Sequence, residues 1–92
     1  MVLKRAVVTG LGALTPIGNT AGDYWNSLLN GVSGAAPITR FDVSKFRTRF
    51  ACEVKNFDPY QFIDRKEVKR IDRFTQYALV CGDEAIKDAG LD

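Results

Sequence analysis

Two cysteines, a cationic cluster and a glycine-rich turn are the features of this chain whose residue types and spacing could do chemistry. Cys52 and Cys81 are its only thiols, and it contains no histidine. A nucleophilic cysteine needs a stabilised thiolate and usually a neighbouring base, and neither cysteine has one close by in sequence. Without histidine, and without a Cys-x-x-Cys spacing, no zinc site is expected, and no other metal or cofactor is implied. Both cysteines read as small apolar residues buried in the interior. The cations Arg65, Lys66, Lys69, Arg70 and Arg73 fall within nine positions. Spacings of three and four put Lys66, Lys69 and Arg70 near one helical face. That patch suits an acidic partner, and the alternative is an ordinary solvated face laced with Glu67 and Asp72.

The glycine-rich turn invites comparison with a dinucleotide site, in which a strand runs into Gly-x-Gly-x-x-Gly and then a helix. Gly10 and Gly12 fit, but position 15 is Thr15, followed by Pro16. The helix opens only near Thr20, too far on for its N-terminus to hold a pyrophosphate beside those glycines. The acidic ribose ligand expected about 20 residues further on is also absent, since Asn30, Gly31 and Val32 stand there. Gly10 and Gly12 read instead as sites of close backbone approach at a crowded strand end.

The elements that must position these residues follow from pattern. Residues 4–10, with Ala6, Val7 and Val8 between charge and glycine, predict a buried strand. Thr20 is placed to cap a helix carrying Tyr24, Trp25, Leu28 and Leu29 on one face, with Gly31 as terminator. Residues 32–47 show no periodicity. Residues 49–54 alternate, with Phe50, Cys52 and Val54 on one face, and predict a second strand. Residues 56–59 are turn chemistry. A short helix is expected over 64–71, then a long one capped by Asp72. The long helix has Phe74, Tyr77, Ala78, Cys81, Ala85 and Ala89 on its packing face and ends at Gly90. This is an α/β order, and its two strands are too few to cover its helices.

The chain has 92 residues, 46% of them hydrophobic, 26% charged and 11% aromatic, which suits one small folded unit rather than disorder. The formal net charge of +2 is too small to indicate nucleic acid, and no apolar run has membrane-spanning length. A cytoplasmic location is the default, because the N-terminus lacks the apolar middle of a signal peptide.

The run Val7-Val8-Thr9-Gly10-Leu11-Gly12-Ala13-Leu14-Thr15-Pro16-Ile17-Gly18-Asn19 resembles the opening of the β-ketoacyl-acyl-carrier-protein synthases. Pro37-Ile38-Thr39-Arg40-Phe41-Asp42 and Ala51-Cys52-Glu53-Val54-Lys55-Asn56-Phe57-Asp58 resemble the family's next blocks. Arg65-Lys66-Glu67 and Arg70-Ile71-Asp72-Arg73-Phe74-Thr75-Gln76-Tyr77-Ala78 resemble the one after. The match runs in order along essentially the whole chain and is nearest to the type II elongating synthases. Cys52 departs from the small residue usual there.

The resemblance implies a thiolase-like α/β fold, of which residues 1–92 would be the incomplete N-terminal part, and a homodimeric parent enzyme. It also implies a 3-oxoacyl-ACP synthase that condenses an acyl-enzyme with malonyl-ACP in fatty acid elongation. Its nucleophilic cysteine and two histidines are expected beyond residue 92, so the segment alone should be inactive and marginally stable. The resemblance places a docking patch for acyl carrier protein on Lys66, Lys69 and Arg70. The other readings are a non-catalytic carrier-protein-binding module, or a catalytically dead partner of chain-length-factor type.

Overall fold

The computed structural model describes residues 3–91. Helix α1 spans Ala21–Leu29, strand β1 Ala35–Pro37 and strand β2 Phe50–Cys52. A 3-10 turn covers Pro59–Gln61, followed by helix α2, Arg65–Val68, and helix α3, Arg73–Ala89.

The helix ends follow their local signals. Thr20 is the N-cap of α1, and its Oγ1 accepts from the Asp23 N–H at 3.1 Å. Gly31 turns the chain out of α1 with φ +66°. At the end of α3, Gly90 takes φ +72°, its N–H reaches the Lys87 carbonyl, and the Leu91 N–H reaches that of Ile86. That pair of bonds is a Schellman closure, and it needs a residue tolerant of left-handed backbone at position 90.

The strands differ from expectation. Residues 4–10 form no ladder, and Val8 is 81% exposed. A strand exists only through its hydrogen-bonded neighbours, and none of the described residues forms a ladder with this segment. The only sheet among the described residues joins β1 and β2 antiparallel, with Ala35 opposite Cys52, Ala36 opposite Ala51 and Pro37 opposite Phe50. Strand β1 lies in the stretch expected to be irregular. In β2 the face is the reverse of the one expected: Ala51 is half-buried, while Phe50 is 63% exposed and Cys52 is exposed. The pair Ala36–Ala51 turns inward, and with no second layer over the other face, Phe50 and Cys52 stay in solvent.

The interior lies along α3. Among the described residues only Val80, 8% exposed, and Gln76, 5% exposed, are fully buried. Tyr77, Cys81, Ala85 and Ala89 of the expected packing face are half-buried, but Phe74 and Ala78 face solvent. On α1, Tyr24 is half-buried while Trp25, Leu28 and Leu29 are exposed. So much exposed apolar surface is well beyond what a soluble monomer usually presents.

Candidate functional site

The cationic cluster sits where α2 turns into α3. Asp64 precedes the helix, Lys69 follows it in right-handed helical backbone, and the turn runs through Arg70 to the α3 N-cap, Asp72. The five cations are not equivalent. The Arg65 guanidinium lies over the Tyr60 ring at 5.2 Å, and that of Arg73 over the Phe57 ring at 5.7 Å. Phe57 is itself packed edge-on against Tyr77 and stacked with Phe62, so Arg73 is tied to the body of the chain. Lys66, Lys69 and Arg70 remain, and all three are exposed. Among the described residues neither lysine pairs with a carboxylate, and Arg70 meets Glu67 at 3.7 Å. Both side chains of that pair are largely in solvent, so it contributes little and leaves Arg70 available. The three cations expected to share a face are thus the three that no aromatic ring engages.

The glycine-rich segment is built differently. A Cβ on Gly10 would stand 2.9 Å from the Ala89 Cβ, and one on Gly12 would run into the Cys81 carbonyl. These glycines let the backbone lie directly on α3. The segment's N–H groups then find carboxylates: Leu11 donates to Asp88 Oδ2 at 3.0 Å, and Ala13 to Glu84 Oε1 at 2.8 Å. Glu84 also accepts from Ala21, the first residue of α1, at 3.0 Å on Oε2. The anion-attracting N-terminus of α1 is therefore served by the chain's own carboxylate. With the Ala13 and Ala21 N–H groups both taken by Glu84, the place a pyrophosphate would occupy is filled by this carboxylate. Residues 15–18 close a tight turn through the Thr15 N–H to Gly18 carbonyl bond at 2.8 Å, and the Ser27 hydroxyl donates to the Ile17 carbonyl at 2.6 Å.

Glu84 and Asp88 carry no motif. A signal was nonetheless present, since carboxylates in the C-terminal half of a helix oppose its dipole and call for another partner.

The cysteines also depart from expectation, because Cys52 is exposed and Cys81 half-buried; both are free thiols. Burial pushes the Cys81 thiol above its ordinary range, and the Glu84 carboxylate adds to this. A thiol held protonated is a poor nucleophile. Among the described residues no group of His, Cys, Asp and Glu is placed to hold a metal ion, and no helix is long and apolar enough to cross a membrane.

Comparison with known proteins identifies the scaffold. The chain is 59% identical over 88 residues to the 3-oxoacyl-[acyl-carrier-protein] synthase 2 of Synechocystis sp., covering 96% of this chain and 21% of that protein. It is 46% identical over all 92 residues to the synthase of the same name from Coxiella burnetii, covering 22% of it. The chain thus spans about a fifth of the length of the curated relatives it matches. A solved structure described as "The ishigamide ketosynthase/chain length factor" superposes with a TM-score of 0.85 at 41% identity, covering 94% of this chain and 21% of that one. The fold here is thiolase-like, with mixed helix and strand content. Residues 4–92 match the family model described as "Beta-ketoacyl synthase, N-terminal domain", and the chain belongs to that family.

Proposed function

We propose that this chain is the N-terminal part of a longer 3-oxoacyl-ACP synthase, a cytoplasmic homodimer that elongates fatty acids. The end-to-end family match over residues 4–92 carries this reading. In the reaction, a cysteine of the parent enzyme takes the acyl group from acyl carrier protein as a thioester and releases the carrier's thiol. Malonyl-ACP then loses carbon dioxide, and the resulting carbanion attacks the acyl thioester. The product is 3-oxoacyl-ACP, two carbons longer, and the cysteine thiol is regenerated. Histidines stabilise the developing negative charge and assist decarboxylation, a division into nucleophilic and electrostatic work. None of these groups is expected among residues 1–92: the chain has no histidine, Cys81 is held protonated, and Cys52 lies exposed on a two-stranded sheet. The segment supplies scaffold and partner recognition.

Recognition falls to Lys66, Lys69 and Arg70. What supports it is that these three exposed cations are free of any ring, whereas Arg65 and Arg73, equally exposed, lie over Tyr60 and Phe57. An acidic carrier protein approaching that turn would be steered by its charge and oriented by contacts on this one face. In the full-length enzyme, Lys69→Glu with Arg70→Glu should raise the KM for acyl-ACP at least about tenfold, since like charges replace attraction. The kcat on a small acyl thioester should stay unchanged. Unchanged kinetics with acyl-ACP would remove the docking assignment.

A second reading is a catalytically dead partner of chain-length-factor type, because the superposed structure is described as both a ketosynthase and a chain length factor. Intact mass after incubation with acyl-ACP separates the two: a condensing synthase gains one acyl group per chain, and a dead partner gains none.

A further inference from the structure

We infer that Gln76 is a positioning residue that holds the cationic turn in its docking geometry; this rests on the docking role proposed above. Gln76 is the fourth residue of α3 and the most buried polar side chain described, 5% exposed. Helical side chains lean toward their helix's N-terminus, so Gln76 reaches back across the turn that precedes α3. There its Nε2 donates to the carbonyl of Val68, the last residue of α2, at 3.2 Å. One side-chain bond thus closes residues 69–72, and Lys69 and Arg70 both lie within that span.

Besides this bond, the turn is held by the Arg70 N–H to Glu67 carbonyl bond at 3.0 Å and by the Arg73 guanidinium over Phe57, and no capping side chain assists. The Asp72 side chain makes no capping bond to α3, and the Asp64 side chain makes none to α2. Helix α2 has four residues, too few to hold their own shape, so its direction must come from what it leans on. The Gln76 amide can serve only one way round. Turned over, it would set its oxygen against the Val68 carbonyl, and both would be acceptors. Gln76 Oε1 has no hydrogen-bond partner among the described residues, so the bond to Val68 is the amide's whole polar engagement. A buried amide held by a single directed bond is costly unless that bond is kept, and this favours one arrangement of the turn over its alternatives. The cations gain nothing in charge from Gln76. They gain a fixed spacing, which matters when a rigid acidic surface must meet several of them at once.

The test uses the full-length synthase. Gln76→Met keeps the side chain's length and apolar stem but removes the donor. The KM for acyl-ACP should rise about three- to tenfold, the worth of one net hydrogen bond. The kcat, and kcat/KM on a small acyl thioester, should stay within about twofold, because binding rather than chemistry is affected. Amide exchange across residues 64–72 should quicken while the middle of α3 stays protected. Gln76→Leu fills a similar volume with no polar atom and should repeat the pattern. Folded variants with an unchanged KM for acyl-ACP, or with both substrates affected equally, would overturn the inference. Loss of fold in both variants would overturn it as well, since a residue that only positions a surface turn cannot cost the whole structure. The Lys69→Glu, Arg70→Glu enzyme runs in parallel. If that enzyme keeps its KM, the docking reading fails; if its KM rises and the Gln76 variants' does not, only the role of Gln76 fails.

Discussion

The glycine-rich segment and the cationic turn both rest on α3, but they rest on it in opposite ways. At residues 10–13 the backbone itself is pressed onto the helix, and two carboxylates of α3, Glu84 and Asp88, accept its N–H groups. At residues 65–73 the contact with α3 is a single side-chain bond from Gln76, and all five cations are exposed, two of them lying over the Tyr60 and Phe57 rings. The first region turns its N–H groups inward onto carboxylates, while the second keeps its charge outward. One is therefore scaffold, where substitutions should register as lost stability. The other is the proposed recognition surface, where they should register as altered partner binding in a protein that folds normally.

The sharpest way to break this contrast is Gly12→Val. A side chain there meets the Cys81 carbonyl, which is held in the helix ladder and cannot rotate away. Overpacking against fixed backbone should cost about 3 kcal/mol or more, read as a lower denaturant midpoint of the full-length enzyme, or as loss of soluble protein. A tolerated Gly12→Val would show that the close approach is not needed. Glu84→Ala comes next. It strands the N–H groups of Ala13 and Ala21, and a charge-assisted bond of this kind contributes roughly 2 kcal/mol. Glu84→Gln keeps an acceptor and should recover part of that loss. Glu84 also raises the Cys81 thiol, second to burial, so Glu84→Gln should quicken alkylation of Cys81. An unchanged alkylation rate with an unchanged midpoint would mean that Glu84 holds nothing. Against both, the Lys69→Glu, Arg70→Glu enzyme should unfold at nearly the wild-type midpoint, within about 0.5 kcal/mol, as surface changes usually do.

The two regions were not equally legible in the sequence. Signals that act within a few residues read through directly: Thr20 caps α1, Gly31 and Gly90 take positive φ, and Asp72 stands at the start of α3. The cluster of cations was equally plain. The three that spacing grouped are also the three left free by the Tyr60 and Phe57 rings, which engage Arg65 and Arg73 instead. Pairing between distant segments was the hard part. Strand β1 is two alanines and a proline, a run with no β pattern, and it exists because Phe50–Cys52 comes alongside. Residues 4–10 show the converse, since they carry a strand pattern and none of the described residues forms a ladder with them. The roles of Glu84 and Asp88 escaped because a carboxylate that accepts a distant N–H looks, residue by residue, like one that faces water.

The β1–β2 pair uses the same carboxylate device in a weaker setting, and it yields the smallest expected effect. Glu53, just after β2, accepts from the Thr39 hydroxyl at 2.8 Å, with the Thr39 N–H at 3.4 Å and Arg40 Nε at 3.8 Å. The Thr39 hydroxyl is the main cause that holds the Glu53 carboxyl below its ordinary value of 4.5, while partial burial opposes it. A carboxylate whose folded pKa lies below its unfolded one stabilises the fold above the unfolded value. That stabilisation is lost as the pH falls through the folded pKa. The strand pair should therefore be firm at neutral pH and loosen as the solution is acidified below 4.5, with exchange of the Ile38 amide, bonded to the Arg49 carbonyl, as the local reporter. Thr39→Val should move the Glu53 titration back up toward 4.5 and start the loosening at a higher pH. If Glu53 titrates identically with and without the hydroxyl, the clamp does not operate. The Glu53 contacts are exposed while those of Glu84 are partly buried, which is why the same contact should govern a local pH response here and global stability there.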